Sequence, residues 1–109
     1  MFEVVVMAFR LQQFSSQSDG MGGTIEDWSE YDTVLGYLDL ITGSNQQHQA
    51  QNAIVEESTH VLITDYRDDI HDRMRVVSAG RVYKITYVDD PVGVNHHLEI
   101  YLKFEGDAV

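Results

Sequence analysis

Residues 58–102 decide the fold, and they read STHVLITDYRDDIHDRMRVVSAGRVYKITYVDDPVGVNHHLEIYL. Short runs in which apolar and polar residues alternate are separated by turns rich in aspartate and glycine. Alternation with a period of two is typical of β-strands that bury one face. We expect Leu98, Ile100 and Leu102 to share such a face. The pattern predicts strands over residues 59–66, 74–77, 81–88 and 97–104.

The N-terminal part of the chain continues the same pattern less regularly. It predicts strands over residues 2–11, 25–31 and 33–41, with a glycine-rich loop over residues 12–24. Trp28 is the largest apolar group of the second strand, and Val34, Leu38 and Leu40 are candidates for the buried face of the third. About six to seven short strands joined by Gly and Asp turns indicate an all-β fold, a small antiparallel barrel or sandwich.

The segment of residues 42–57 interrupts the strands with a different composition. Residues 43–53 are polar, uncharged and poor in β-branched residues. The pattern predicts a long surface loop with room for one short helix. Loops of this length in small domains are usually functional or mobile, so this segment is a candidate site.

Composition limits the classes of protein to consider. The chain has 109 residues, enough for one domain over residues 1–109, and 43% of its residues are hydrophobic. It has no cysteine, and its longest apolar runs are too short to span a bilayer. Glu3 stands where a signal peptide would carry positive charge, so secretion by the usual route is not expected.

The net charge of −11 argues against a nucleic-acid-binding module, because such modules neutralise phosphates with Lys and Arg. The acidity is concentrated in residues 1–57, which contain nine acidic residues and a single base, Arg10. A negative wall can nevertheless surround DNA without adhering to it.

Two polar clusters invite a metal-site interpretation, which their spacing does not favour. Asp65, Asp68, Asp69, His71 and Asp72 lack the pattern of an EF-hand loop, and we interpret them as a solvated turn. Adjacent strand residues such as His96 and His97 should point to opposite faces, and His60 should serve as a polar contact at a strand start. No nucleophile elbow or phosphate-binding loop is present. The sequence therefore predicts a protein that is not an enzyme and that uses no metal or cofactor.

Several short motifs, taken in order, resemble one protein family. They are DGMGG at residues 19–23, Trp28, TGS at 42–44, STH at 58–60, YR at 66–67, MRV at 74–76, GRVYKI at 80–85, DDP at 89–91 and LEI at 98–100. In this order the chain resembles the phage head-tail joining proteins, the connector or stopper proteins of tailed phages. The strongest part of the resemblance is Met-Arg-Val followed by Gly-Arg-Val-Tyr.

The resemblance implies a small β-barrel that forms a ring of six or twelve copies between the capsid and the tail. The implied partners are further copies of the chain, the portal-adaptor (head completion) protein, a tail terminator or other tail protein, and packaged double-stranded DNA held without sequence-specific binding. No membrane partner is implied. The protein would be made in the cytoplasm of the bacterial host and would reside at the head-tail interface of the virion. Two other interpretations remain: another β-barrel component of the tail or virion, and a small metal-dependent binding module.

The resemblance also implies that a loop from each subunit closes the channel and retains packaged DNA. By position this stopper loop comprises Thr42, Gly43, Ser44, Asn45, Gln46, Gln47, His48, Gln49, Gln51, Asn52, Glu56 and Glu57. A ring needs two different contact patches on each subunit. Candidate patches are the exposed faces of the first strand, with Glu3, Val5, Met7 and Phe9, and of the last, with Tyr101 and Lys103. An unpaired strand edge could also offer its backbone groups to a partner.

Overall fold

The computed structural model describes residues 6–41 and 58–108, which form six β-strands. The strands are β1 (Met7–Ser18), β2 (Thr24–Leu40), β3 (His60–Asp65), β4 (Met74–Ser78), β5 (Arg81–Asp89) and β6 (His97–Asp107). A 3-10 turn (Pro91–Gly93) lies between β5 and β6. Within these residues no helix is long and apolar enough to cross a membrane.

All strand pairs are antiparallel, and the sheet closes on itself in the order β1-β2-β3-β6-β5-β4. The closing contact is the ladder between β1 and β4, in which Arg10 pairs with Val77 and Gln13 with Met74. This architecture confirms the prediction of a small all-β, barrel-like fold with about six strands.

The core lies inside this closed sheet. It is formed largely by every second side chain along the strands. Leu98, Ile100 and Leu102 are all buried, as the alternation of β6 predicts. The inward cluster consists of Phe9, Leu11, Val34, Leu62, Ile70, Met74, Val76, Tyr83, Ile85, Leu98, Ile100 and Leu102. Leu38 packs against this cluster, but Leu40 is 60% exposed. The prediction for Leu40 was wrong because β2 ends there, beyond the inward-facing core.

The N-terminal strands differ from the prediction. β1 continues to Ser18 through residues that were expected to form a loop, and β2 is one 17-residue strand where two were expected. The turn is confined to residues 19–23, where the Asp19 carboxylate accepts the N–H groups of Met21 (2.7 Å) and Gly23 (3.0 Å). Pairing between the two strands thus overrides the weak strand propensity of the Gln and Ser residues.

The β1–β2 hairpin extends beyond the barrel as a two-stranded arm. β4 pairs with β1 only as far as Gln13, and β3 pairs with β2 only from Gly36 onward. Residues 14–18 and 24–28 therefore pair only with each other among the described residues; we call this part the arm. A β-bulge at Tyr31, between the register pairs Leu11↔Asp32 and Gln12↔Glu30, marks its base. The molecule is accordingly elongated, with extents of 56 × 30 × 28 Å.

Antiparallel order sends successive connections to opposite ends of the barrel. The arm, the turn of residues 66–73 and the 3-10 turn lie at one end, the arm end. The β2–β3 connection, the tight β4–β5 turn at Ala79 and Gly80, and the outer ends of β1 and β6 lie at the other end, the loop end. This division places Ile41 and Ser58, the residues that flank the candidate loop segment, at the end of the barrel away from the arm.

Candidate interaction surfaces

The proposed stopper-loop residues, Thr42 to Glu57 in the sequence, lie outside the described residues, but the strand ends that carry them are well defined. The Ile41 N–H donates to the Thr59 carbonyl (3.1 Å), and the Thr59 N–H donates to the Leu102 carbonyl (2.7 Å). The Thr59 hydroxyl also accepts the Phe104 N–H (2.8 Å). The 42–57 segment therefore leaves and re-enters the barrel at one point of the loop end.

A small apolar cluster on the outside of the barrel packs beside the residues that flank the 42–57 segment. Val61 and Tyr101 are buried on the outside of the barrel, with Ile41, Ile63 and Tyr87 packed against them. Burial and the nearby negative charge of Glu99 raise the pKa of Tyr101 to about 12, so its hydroxyl stays neutral at ordinary pH. The cluster joins β3, β5 and β6 to Ile41, the residue that follows β2.

Ser58, the first described residue after the segment, is fixed by a hydroxyl chain. The Thr86 hydroxyl donates to the Tyr101 carbonyl (3.0 Å) and shares a hydrogen bond with the Ser58 hydroxyl (2.6 Å). These bonds hold the end of the loop segment against the outer cluster, so the barrel supplies a rigid base for it.

His60 lies next to the same end as a structural contact. Its Nδ1 hydrogen bonds with the Thr59 hydroxyl (2.8 Å), and its ring meets the Tyr83 ring edge-on at 5.2 Å between centroids. Burial, with a further contribution from the Arg81 charge, lowers the pKa of His60. A neutral imidazole held by packing is consistent with the polar structural role expected for this residue.

His96 and His97 are closer together than strand alternation suggests. Their Nδ1 atoms are 3.0 Å apart and their rings meet edge-on, because His96 lies in the bend before β6 begins. The prediction that these side chains point apart was therefore wrong. His97 Nε2 lies 3.5 Å from a Glu99 carboxylate oxygen.

The acidic turn of residues 66–73 contains an ion-pair cluster rather than a gathered set of ligands. Arg67 donates to both carboxylate oxygens of Asp69 (2.8 and 2.6 Å) and pairs with Asp32 at 2.9 Å. The Tyr31 hydroxyl donates to Asp69 (2.7 Å). Hydrogen bonds from Arg67 and Tyr31 hold the pKa of Asp69 well below its usual range. We call this cluster the latch, because it ties the base of the arm to the turn.

The other acidic residues of the metal-site hypothesis do not assemble around Asp69. In the described parts of the chain, no group of three or more His, Asp or Glu side chains could hold a metal ion. Asp65, Asp68, His71 and Asp72 remain exposed around the latch.

A groove of about 590 Å³ runs along the outer sheet face where the arm meets the barrel. Its lining residues are Phe14, Ser16, Glu26, Trp28, Asp72, Arg73, Met74, Arg75, Lys84 and Glu105. Trp28, the largest apolar group of the predicted second strand, is only partly buried. It packs instead edge-on against Phe14 (5.2 Å) and under the Arg75 guanidinium (4.4 Å to the ring centroid).

The basic residues are as unevenly placed as the acidic ones. Apart from Arg67, they lie on or beside β1, β4, β5 and β6: Arg10, Arg73, Arg75, Arg81, Lys84 and Lys103. Of these six, only Arg10 has an ion-pair partner among the described residues, Glu30 at 3.6 Å. The sequence shows the cations, but only the sheet register places Arg75, Lys84 and Lys103 at neighbouring positions of β4, β5 and β6.

The predicted ring patches are partly wrong. Phe9 and Tyr101 are 1% and 4% exposed, because Phe9 points into the core and Tyr101 belongs to the outer cluster. Met7 and Lys103 are exposed, whereas Glu3 and Val5 lie outside the described residues. Both β1 and β6 are paired on two sides over only part of their length, at Arg10–Gln13 and Glu99–Leu102. Among the described residues, the segments paired on one side only include the arm, the end of β5 after Lys84 and the end of β6 after Leu102.

Comparison with known folds supports the architecture. The chain is similar to the solution structure of protein SF1141 from Shigella flexneri 2a, with a TM-score of 0.73 and 21% sequence identity over 89% of each chain. At this identity the likeness concerns the fold alone. No curated protein matches the chain.

The family comparison agrees with the motifs quoted from the sequence. The model of the phage head completion protein family matches residues 8–103, which include all six strands nearly in full. This match confirms the resemblance to phage head-tail joining proteins. The family is structural rather than enzymatic. The chain belongs to the phage head completion protein family and is a structural component of the phage virion at the junction of head and tail.

Proposed function

We propose that this protein forms a ring in the head-tail connector and that its 42–57 segment closes the channel as a stopper. The ring would stand between the portal-adaptor complex and the tail, offering a docking surface to each. Its copies would surround packaged DNA without binding a particular sequence.

The observation that carries this proposal is the fixed base of the 42–57 segment. A closed barrel holds both ends of the segment together through the Ile41–Thr59 and Thr59–Leu102 hydrogen bonds. A sixteen-residue excursion from one point of a rigid scaffold is an arrangement typical of functional loops. In a ring, symmetry would place one such segment from each subunit at the same position along the channel axis.

The charge distribution supports passage of DNA through such a ring. A net charge of −11 opposes adsorption of a polyanion, so DNA can move past without adhering. Residues 43–53 carry no formal charge at neutral pH. Their Gln and Asn side chains can hydrogen bond between subunits without the repulsion that symmetric repetition of carboxylates would cause.

Adding charge to the loop tests the proposal. Replacing Gln46→Glu together with Gln49→Glu should weaken closure, and particles carrying the variant should lose packaged DNA. The measurement is the fraction of DNA that stays nuclease-protected in completed particles.

A matched control adds the same two charges at the tip of the arm, through Gln17→Glu and Met21→Glu. Both side chains are exposed, so the control should retain DNA as the unmodified protein does. Normal retention by the loop variant, in particles that contain the protein, would refute the stopper role.

A further inference from the structure

Two outer faces of the barrel lie opposite each other and differ in chemistry. In the closed order β1-β2-β3-β6-β5-β4, strands β4 and β5 stand across the barrel from β3 and β2. The first face carries the groove beside the arm, and the second carries exposed apolar side chains flanked by carboxylates.

The first face combines exposed aromatic area with cations that have no ion-pair partner among the described residues; we call it the basic groove, after Phe14, Trp28, Arg73, Arg75 and Lys84. Three carboxylates also line this groove, Glu26, Asp72 and Glu105, but within the described residues no ion pair joins them to these cations. Phe14 is 49% exposed at the arm side of the groove. The sheet register places Arg75 opposite Lys84 and Lys84 opposite Lys103, so three cations form one row across β4, β5 and β6. Like charges directly opposite each other destabilise a sheet. An anionic partner over this row would relieve that repulsion.

The second face is formed by the outward residues of β2 and β3; we call it the β2–β3 face, after Leu35, Tyr37, Asp39, Ile63 and Asp65. Leu35 is 66% exposed and Tyr37 is 38% exposed, which is unusual for large apolar groups on adjacent outward positions of one strand. Tyr37 pairs with Ile63 on β3, so the apolar area continues across the two strands. Asp39 and Asp65 are exposed at its two ends.

We propose that the β2–β3 face of one copy docks into the basic groove of the next copy. Leu35 and Tyr37 would cover the aromatic area at Phe14 and Trp28, and the flanking carboxylates would face the row of cations. This inference rests on the proposed ring and specifies the two surfaces that build it.

The arrangement favours a second copy over an unrelated partner for two reasons. The exposed apolar areas of the two faces can cover each other, and Asp39 and Asp65 can pair with the row of cations across β4, β5 and β6; such complementarity specifies register in an interface. They also lie on opposite sides of one subunit. A contact between two different, opposed patches is heterologous and repeats head to tail, as a ring requires.

Thiol cross-linking tests the contact directly, because the chain has no cysteine of its own. A variant with Asp39→Cys and Lys84→Cys carries one thiol on each face. Treated at high protein concentration and low salt with a short bifunctional maleimide, it should form a ladder of trimers and larger species. Each single-cysteine variant should stay at the monomer level, because a heterologous contact does not bring like positions together.

Charge exchange provides a second, independent measurement. Lys84→Glu alone and Asp39→Lys alone should each weaken association about tenfold, because each sets like charges face to face. An equimolar mixture of the two variants should associate like the unmodified protein, since every contact between unlike copies then joins opposite charges. Sedimentation velocity measures the association, and unchanged circular dichroism shows that the variants fold.

A double-cysteine variant that links no better than the single variants, or a mixture no better than its components, would overturn the proposal. Dimers of Asp39→Cys alone would overturn it as well, since they would show an isologous contact. The stopper role is tested separately. If the double-cysteine variant forms cross-linked ladders but particles with the Gln46 and Gln49 substitutions retain DNA normally, the interface is supported and only the stopper role is refuted.

Discussion

At the residue scale, Trp28 stabilises the arm rather than the core. Its ring contacts the Arg75 guanidinium and the edge of Phe14, and it remains partly exposed. Cation–π and aromatic contacts at such sites contribute modestly. We therefore expect Trp28→Ala to lower the free energy of unfolding by about 1 to 2 kcal/mol.

The matched comparison is Leu102→Ala, which empties a fully buried position and should cost about 2 to 5 kcal/mol. Urea unfolding followed by circular dichroism measures both variants. A loss for Trp28→Ala as large as that for Leu102→Ala would show that the arm is packed as firmly as the barrel.

The latch fixes the base of the arm at the scale of the element. Tyr31 at the β-bulge and Asp32 beside it belong to β2, while Arg67 and Asp69 belong to the turn before β4. The bulge bends the strand, and the latch connects the bent strand to the barrel. We therefore expect the direction of the arm to depend on these four side chains.

Removing the latch cation should destabilise the protein in a pH-dependent way. The folded-state pKa of Asp69 is depressed by Arg67 and then Tyr31, so its contribution is fully present above its ordinary value of 3.8 and is lost as pH falls through the folded value. Arg67→Gln should lower the melting temperature at about pH 7 and lower it much less at about pH 2.

Arg73→Gln is the control for this change, because Arg73 has no side-chain partner among the described residues and should change little at either pH. Thermal unfolding of the three proteins at both pH values makes the comparison. An equal decrease for Arg67→Gln at both pH values would show that packing, rather than charge pairing, holds the arm.

The elements that the sequence predicts well are those whose side chains alternate. In β6, the alternating apolar residues Leu98, Ile100 and Leu102 identify the buried face of the strand. The barrel is built mainly from strands with such alternation. Residues 12–18 of β1 carry mostly Gln and Ser, so nothing local marks them as a strand; their structure comes from pairing with β2. The groove and the row of cations could not be predicted from the sequence either, because both depend on which strands become neighbours in the sheet.

At the scale of the whole molecule, charge should act in opposite directions on folding and on assembly: the excess negative charge opposes folding of the subunit, whereas the opposite charges at the proposed contact favour assembly. A net charge of −11 over 109 residues produces self-repulsion in the compact subunit. Salt shortens the screening length from about 30 Å at 0.01 M to about 3 Å at 1 M. Screening should therefore stabilise the isolated subunit, whereas it should weaken the contact between the basic groove and the carboxylates of the β2–β3 face.

The opposite effects of salt on folding and on association can be tested in one series of salt concentrations. Between about 0.01 M and about 1 M sodium chloride, the melting temperature of dilute, monomeric protein should rise while the association constant of concentrated protein falls. Lys84→Glu makes the net charge two units more negative and removes a cation from the groove. Its melting temperature should thus rise more steeply with salt than that of the unmodified protein, and its association should no longer weaken. Scanning calorimetry and sedimentation velocity over the same salt series follow the two quantities. If association instead strengthened with salt, apolar burial at Leu35 and Tyr37 would outweigh the charge pairing at their flanks.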